Sequence, residues 1–368
     1  MRHSLLFLLI LIAAVCARGQ EYFNVVLRVN YQSAEQTLGL YSGLSGRPAE
    51  IAALRGSQIA LATTALLSQR QLDTPTLERA LEAVKFNQNL GDDPFRMKEA
   101  RASIREIREL LEEAQKRNFG QRVVSTVSQL FPADIRINTF IPVYFVAFGH
   151  QNIDAFVRRV AWKGNVPVFT GEGEGELTIV VNLAKSVNYG RTTDERFIGM
   201  LSVVAHEVFH AAFGAYKDAS PEWRQYYSAR RNPVDRLLDL SQNEGIAYYL
   251  TLIQRSRGRL PGDGLERAQR NFAEFNRNAA ELLSPRTSGQ RADDIIRLSN
   301  TSGYWESYGA ITGMIIARQI DQTLGRQALV ETITRGPTDF FGKYADLMRR
   351  DPGLPVLSPQ LVELLLRR

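Results

Sequence analysis

From Thr192 to Tyr216 the chain reads TTDERFIGMLSVVAHEVFHAAFGAY, and in its apolar part, VVAHEVFHAAF over 203–213, His206, Glu207 and His210 are the polar interruptions. No other stretch limits the fold so tightly. Thr192 with Glu195 three residues on has the form of a capping box, which predicts a helix opening there. Gly214, or the polar residues after Tyr216, should close it. A helix apolar on most sides belongs in the interior. Polar groups carried inside are costly unless a hydrogen bond or a ligand satisfies them. Either the three polar residues are satisfied core groups, or they meet something there.

Residues four apart on a helix share one face, a turn apart along the axis. His206 and His210 can therefore aim two imidazoles at a single ion. Glu207 lies about 100° round from His206, within reach of a water on that ion but not placed to ligate it. This is the physical content of the H-E-x-x-H zinc motif, two neutral nitrogen ligands with a carboxylate beside the activated water.

A catalytic zinc needs three protein ligands and an open position. The following segment, AAFGAYKDASPEW, contains no histidine, so the third ligand must come from further on. Glu244, in SQNEGIAYYL, is the candidate. A carboxylate among Leu240, Ile246, Ala247 and Leu250 is expensive to bury unless paired or metal-bound. Gly245 beside it is expected to let the Glu244 helix approach the motif helix closely.

The rest of the chain divides by texture. From about Tyr22 to Phe131 the pattern is mostly helical. TPTLERALEAVKFNQNL has a Thr–Pro entry and an apolar face at Leu77, Leu81 and Val84, and DPFRMKEARASIREIRELLEEAQKRNFG runs from Pro94 to a stop at Gly120. Between Ile135 and Leu183, TFIPVYFVAFG and ELTIVVNL read as strands. The glycine-rich GNVPVFTGEGEGE between them is a turn, because Glu172, Glu174 and Glu176 would repel a phosphate and no helix start follows. NPVDRLLDLSQNEGIAYYLTLIQRSRG predicts a helix with Asn232 as cap, Pro233 in its first turn and Gly258 at its stop. Beyond it the chain is helical, with breaks near Pro261, Pro285, Gly303 and Gly336. The expected parts are a leader over 1–19, a helical N-terminal region over 20–135, a core carrying strands, motif helix and Glu244 helix over 136–258, and a helical C-terminal region over 259–368.

MRHSLLFLLILIAAVCARGQ has a charged start, an apolar stretch from Leu5 to Val15 too short to span a bilayer, and small residues at a cleavage zone after Ala17 or Gly19. It reads as an export leader. Bulky Val15 makes a poor lipoprotein signal for Cys16. Cys16 is the chain's single cysteine, so a mature chain has no disulfide, thiolate ligand or cysteine nucleophile. It keeps three histidines, His150, His206 and His210, and two of the three fall in the motif. The formal net charge of +6 includes Arg2 and Arg18 of the leader. Arginines are spread without a basic stripe, which argues against nucleic-acid binding, and no stretch after the leader is apolar enough for a stable membrane span.

His206-Glu207-x-x-His210 on one helix with Glu244 on the next resembles the gluzincin branch of zinc metallopeptidases. The closing stretch YWESYGAITGMIIARQIDQTLGRQALVETITRGPTDFFGKY further resembles uncharacterised exported bacterial proteins of the metallopeptidase class. The resemblance implies an α+β, mainly helical zincin-like fold with a small mixed sheet preceding the motif helix. It implies zinc on His206, His210 and Glu244, Glu207 as the base, and a peptide or protein as substrate. It also implies that the strand over 176–183 lines the cleft and pairs with extended substrate, and that a tyrosine holds the oxyanion. Tyr304 and Tyr308 are the candidates, with His150 behind them. Many gluzincins place a supporting aspartate four residues after the glutamate ligand; here that position is Tyr248, and Asp239 or Asp235 could substitute. Two alternatives stay open: a binding protein whose zinc only holds two helices together, and a zinc hydrolase of non-peptide bonds.

Overall fold

The computed structural model describes residues 23–367 apart from 45, 89, 172–173, 231 and 302–304. The expected leader, Cys16, Gly303 and Tyr304 lie outside the described residues. Five strands form one mixed sheet: β1 (Phe23–Asn30), β2 (Ile137–Val146), β3 (Ala155–Lys163), β4 (Val166–Thr170) and β5 (Glu176–Asn182), in the order β1-β2-β5-β3-β4. β1, β2 and β5 are parallel, β3 runs antiparallel to β5, and β4 returns on β3 as a hairpin.

Seven helices separate β1 from β2: α1 (Gln32–Tyr41), α2 (Pro48–Ala52), α3 (Arg55–Ser68), α4 (Thr74–Lys85), α5 (Met97–Ala102), α6 (Ile104–Lys116) and α7 (Phe119–Ser128). After β5 come α8 (Leu183–Ser186), α9 (Thr193–Ala219), α10 (Pro221–Ala229), α11 (Val234–Ser256), α12 (Gly264–Leu283), α13 (Gly289–Thr301), α14 (Tyr308–Leu324), α15 (Arg326–Arg350) and α16 (Pro359–Leu366). The fold is α+β and mainly helical, as expected.

The sheet carries helices on both faces, which is why residues 141–146 and 178–182 are buried without alternation. Successive side chains of a strand point to opposite faces. Phe145 meets Phe119 of α7 edge to face at 5.3 Å, and Phe119 meets Phe197 of α9 at 6.0 Å. Its neighbour Tyr144 points the other way, against Gly56 at the start of α3.

Two details of the N-terminal region differ from the sequence reading. FNVVLRVN is a strand rather than part of a helical region, and it pairs along its whole length with β2. Eight residues of alternating character are a weak signal beside so many helices. Gly120 does not end a helix; it lies inside α7, where a side chain would meet Val29 Cγ2 at 3.0 Å. The break falls earlier, where Asn118 takes the left-handed conformation at φ 52° that asparagine tolerates well.

α9 opens with the expected capping box: Glu195 N–H donates to Thr192 Oγ1 at 3.2 Å and Thr192 N–H to Glu195 Oε2 at 3.1 Å. It runs past Gly214 to Ala219, where Ser220 caps α10 and Pro221 follows. By length and composition this helix could cross a membrane, but most of it is spent in the core. Asn232 Oδ1 accepts from Val234 N–H at 3.1 Å at the start of α11. α11 packs most intimately on α14, where backbone meets backbone. A Cβ built on Gly245 would lie 2.3 Å from Gly313 C, and one on Gly313 would lie 1.8 Å from Ser241 O. The close approach predicted at Gly245 is therefore real but made to α14, not to the motif helix. Adjacent helical residues diverge by about 100°, so Glu244 and Gly245 serve different neighbours. α15 breaks at Gly336, with φ +77° ahead of Pro337, as expected.

Candidate metal centre

The middle of α9 is buried except along one stripe: Val203, His206, Glu207, His210, Ala211 and Gly214 are half-buried, and the residues between them are buried. That is the i, i+3, i+4, i+7 pattern of a single face. α11 presents a matching stripe of Leu240, Asn243, Glu244 and Tyr248. The two half-buried stripes meet at the ligand atoms, on the sheltered edge of the α9–α11 contact, hereafter the cleft. A Cβ on Gly214 would touch nothing within 4 Å.

Three ligand atoms converge in this cleft. His206 Nε2 and His210 Nε2 are 3.0 Å apart, and Glu244 Oε2 lies 3.6 Å from the first and 3.3 Å from the second. A tetrahedral zinc with bonds of about 2.0–2.1 Å has ligand–ligand edges of about 3.3–3.4 Å. The three separations bracket that value, so the donor set fits the ion in chemistry and in size. Side-chain exposures of 16%, 21% and 22% leave all three sheltered yet reachable. Among the described residues no further His, Cys, Asp or Glu joins the group. Three is the ligand count of a catalytic site, whereas a structural zinc takes a fourth from the protein.

Neighbouring groups hold the ligands. His210 Nδ1–H donates to Asn243 Oδ1 at 3.1 Å, which leaves the Nε2 lone pair to face the ion. Tyr248 packs edge to face on His206, with ring centroids 5.0 Å apart. Burial disfavours the His210 imidazolium, but the Glu244 carboxylate outweighs it, with Glu207 and Asn243 adding, and His210 is pushed up to about 9. Burial acts on Glu244 in the opposite sense to the imidazoles, and the two histidines prevail and hold it well below the usual carboxylate range. Glu207, one residue after His206, is half-buried on the same stripe, close enough for its charge to act on His210, and has no hydrogen bond or ion pair to another described residue.

The site as read from the sequence thus gathers His206, His210 and Glu244, with Glu207 on the same cleft face. Other expectations are corrected. Tyr308 is turned away: it is buried, and its hydroxyl donates to Ile295 O on α13 at 2.6 Å. His150 lies in the loop after β2, where its Nδ1 accepts from Asn152 N–H at 3.3 Å, outside the ligand group. Asp239 does not support a histidine; it pairs with Lys217 Nζ at 2.5 Å and with Arg230. Asp235 is buried near the start of α11, more than two turns before Glu244. β5 cannot take an extended substrate over Ile179–Asn182, where β2 and β3 flank it, with the backbone at Asn182 bonded to Asp154 O. What sequence reasoning missed is Asn243. Its signal was its place immediately before the glutamate ligand, one residue round the same helix.

Comparison with known protein families matches residues 49–353 to the family described as "Putative zinc dependent peptidase (DUF5700)". The chain belongs to this family. The match spans everything from α2 to the end of α15 and includes all three ligand positions. Zinc is the cofactor on which the family description and the ligand group agree. No curated protein and no solved structure matches the chain.

Proposed function

We propose that this chain is an exported zinc peptidase of gluzincin arrangement, with His206, His210 and Glu244 as ligands and Glu207 as general base. The observation that carries the reading is the convergence of two imidazole nitrogens and one carboxylate oxygen from two helices, at zinc spacing, with Glu207 on the open side. When bound, zinc supplies Lewis acidity, bringing the pKa of a water towards about 7 and polarising a carbonyl. Asn243 fixes the His210 ring and tautomer through Nδ1. Glu207, with no competing partner among the described residues, would accept the proton as the nucleophile attacks and return it to the leaving amine. With Tyr308 committed to Ile295, Tyr304 is the remaining tyrosine candidate for the oxyanion.

The test is metal content and hydrolysis measured together. Wild type should hold one zinc and cleave peptides, and His206→Ala/His210→Ala should hold none. Glu207→Gln should keep the metal and lose turnover; zinc retention in the double variant, or undiminished cleavage in Glu207→Gln, overturns the assignment. Export is tested by sequencing the N-terminus of protein recovered from outside the cytoplasm, which should begin at Arg18 or Gln20.

A further inference from the structure

On the face of the sheet opposite α9, a cavity of about 400 Å³ opens where α3 begins. Its wall includes Arg28, Ser33, Leu54, Arg55, Gly56 and Phe140, and it extends over Pro142 and Tyr144 to Glu176. The start of α3 is uncapped. Its first internal bond runs from Gln58 N–H to Leu54 O, and Leu54 offers no capping side chain. The N–H groups of Arg55, Gly56 and Ser57 therefore have no backbone acceptor, and the positive end of a 14-residue helix faces the cavity.

A second observation is independent of the helix. Ser33 is only 2% exposed, lines the cavity, and has no hydrogen-bond partner for its hydroxyl among the described residues. A Cβ on Gly56 would come within 2.8 Å of Ser33 Oγ, so that hydroxyl stands directly beside the first turn of α3. Orphan donors gathered in one buried place are what an anion would satisfy.

We infer that this cavity binds the carboxylate of a small amphipathic molecule, such as a peptide C-terminus with an apolar last side chain. Among the described lining residues the charge count favours a monoanion: Arg28 and Arg55, neither in an ion pair with another described residue, contribute two positive charges against one negative charge on Glu176. Arg55 lies over the Trp162 ring at 4.8 Å, which steadies it at the rim. Leu54, Phe140, Pro142 and Tyr144 supply an apolar wall for the group that bears the carboxylate, and Phe140 is 47% exposed with Val26 beside it on β1. A phosphate dianion would face Glu176 without a third cation to offset it.

The inference does not rest on the zinc site, and the test keeps the two apart. N-acetyl-phenylalanine, its amide and inorganic phosphate are titrated calorimetrically into zinc-loaded protein and into His206→Ala/His210→Ala. The acid should bind one site in both proteins, and the amide about tenfold more weakly or worse, the scale of a charge-assisted hydrogen bond. Arg28→Gln/Arg55→Gln, both surface changes, should weaken the acid by about tenfold or more while the melting temperature holds. Ser33→Ala should weaken it several-fold. Loss of acid binding in the zinc-ligand variant, an amide that binds as well as the acid, phosphate that binds more tightly than the acid, or indifference to the arginine changes would each overturn the inference.

Discussion

Substituting alanine for Gly245 tests how the fold delivers Glu244. The added Cβ would stand 2.3 Å from Gly313 C, 2.4 Å from Gly313 Cα and 2.7 Å from Met314 N, all of them backbone. Carbon atoms rest at about 3.5–4.0 Å, so α11 and α14 must separate by about 1 Å or more. No flexible side chain can absorb that displacement. Overpacking of this kind costs about 1–3 kcal/mol or more. The shift also moves the neighbouring Glu244, whose bond to a zinc ion would have to hold within about 0.2 Å of its ordinary length. Gly245→Ala should therefore melt several degrees lower and bind zinc at least about tenfold more weakly. Gly214→Ala is the control. It lies on the histidine helix, meets nothing within 4 Å, and should stabilise the protein by about 0.5–1 kcal/mol through helix propensity. The readouts are thermal melting and competition for zinc with a chromophoric chelator. A Gly245→Ala protein with unchanged melting and zinc affinity would refute the coupling of helix contact to ligand position.

Further outcomes follow from the same geometry. Asn243→Ala should reduce zinc affinity about 10–100-fold with little loss of stability, because it frees the His210 ring without removing a ligand; metal competition measures it. In chelated protein, the raised pKa of His210 means the Glu244 pairing stabilises fully below the imidazole's ordinary pKa and is lost as pH rises through about 9. Denaturant unfolding of chelated protein from pH 6 to 10 should show that decline in wild type and not in Glu244→Gln. Asp239→Ala should strip Lys217, whose side chain is 8% exposed, of its carboxylate partner and cost about 3–5 kcal/mol. Burial already holds that ammonium below its ordinary pKa, so the loss should shrink at high pH as the lysine discharges.

Much of the site was legible because it obeys short-range rules. The capping box at Thr192, the four-residue histidine spacing and the cap at Asn232 all depend on local helix geometry. Glu244 was legible by burial, since an acid on an apolar stripe needs a reason. Contacts between distant segments were not legible. Nothing in SQNEGIAYYL says that Gly245 meets Gly313 and not the motif helix, because helical rotation assigns faces but not neighbours. β5 looked like a cleft strand until the antiparallel β3, itself paired with β4 as a hairpin, covered its edge. Tyr308 looked available because nothing in its own segment reveals the Ile295 carbonyl that occupies it. Asn243 escaped notice for a different reason: an amide has no charge to flag, and its value appears only once the His210 ring has an orientation.

Asn243 and Glu244 are consecutive, and one touches the nitrogen of His210 that faces away from the ion while the other reaches its opposite edge. A small turn of α11 about its own axis would therefore withdraw both together. The third ligand atom and the support of the His210 ring are therefore gained and lost in one movement of α11. Stripping the metal should leave α11 held on α9 by the Glu244–His210 pair, so that only a rotation of the helix, and not the loss of the ion by itself, dismantles the centre.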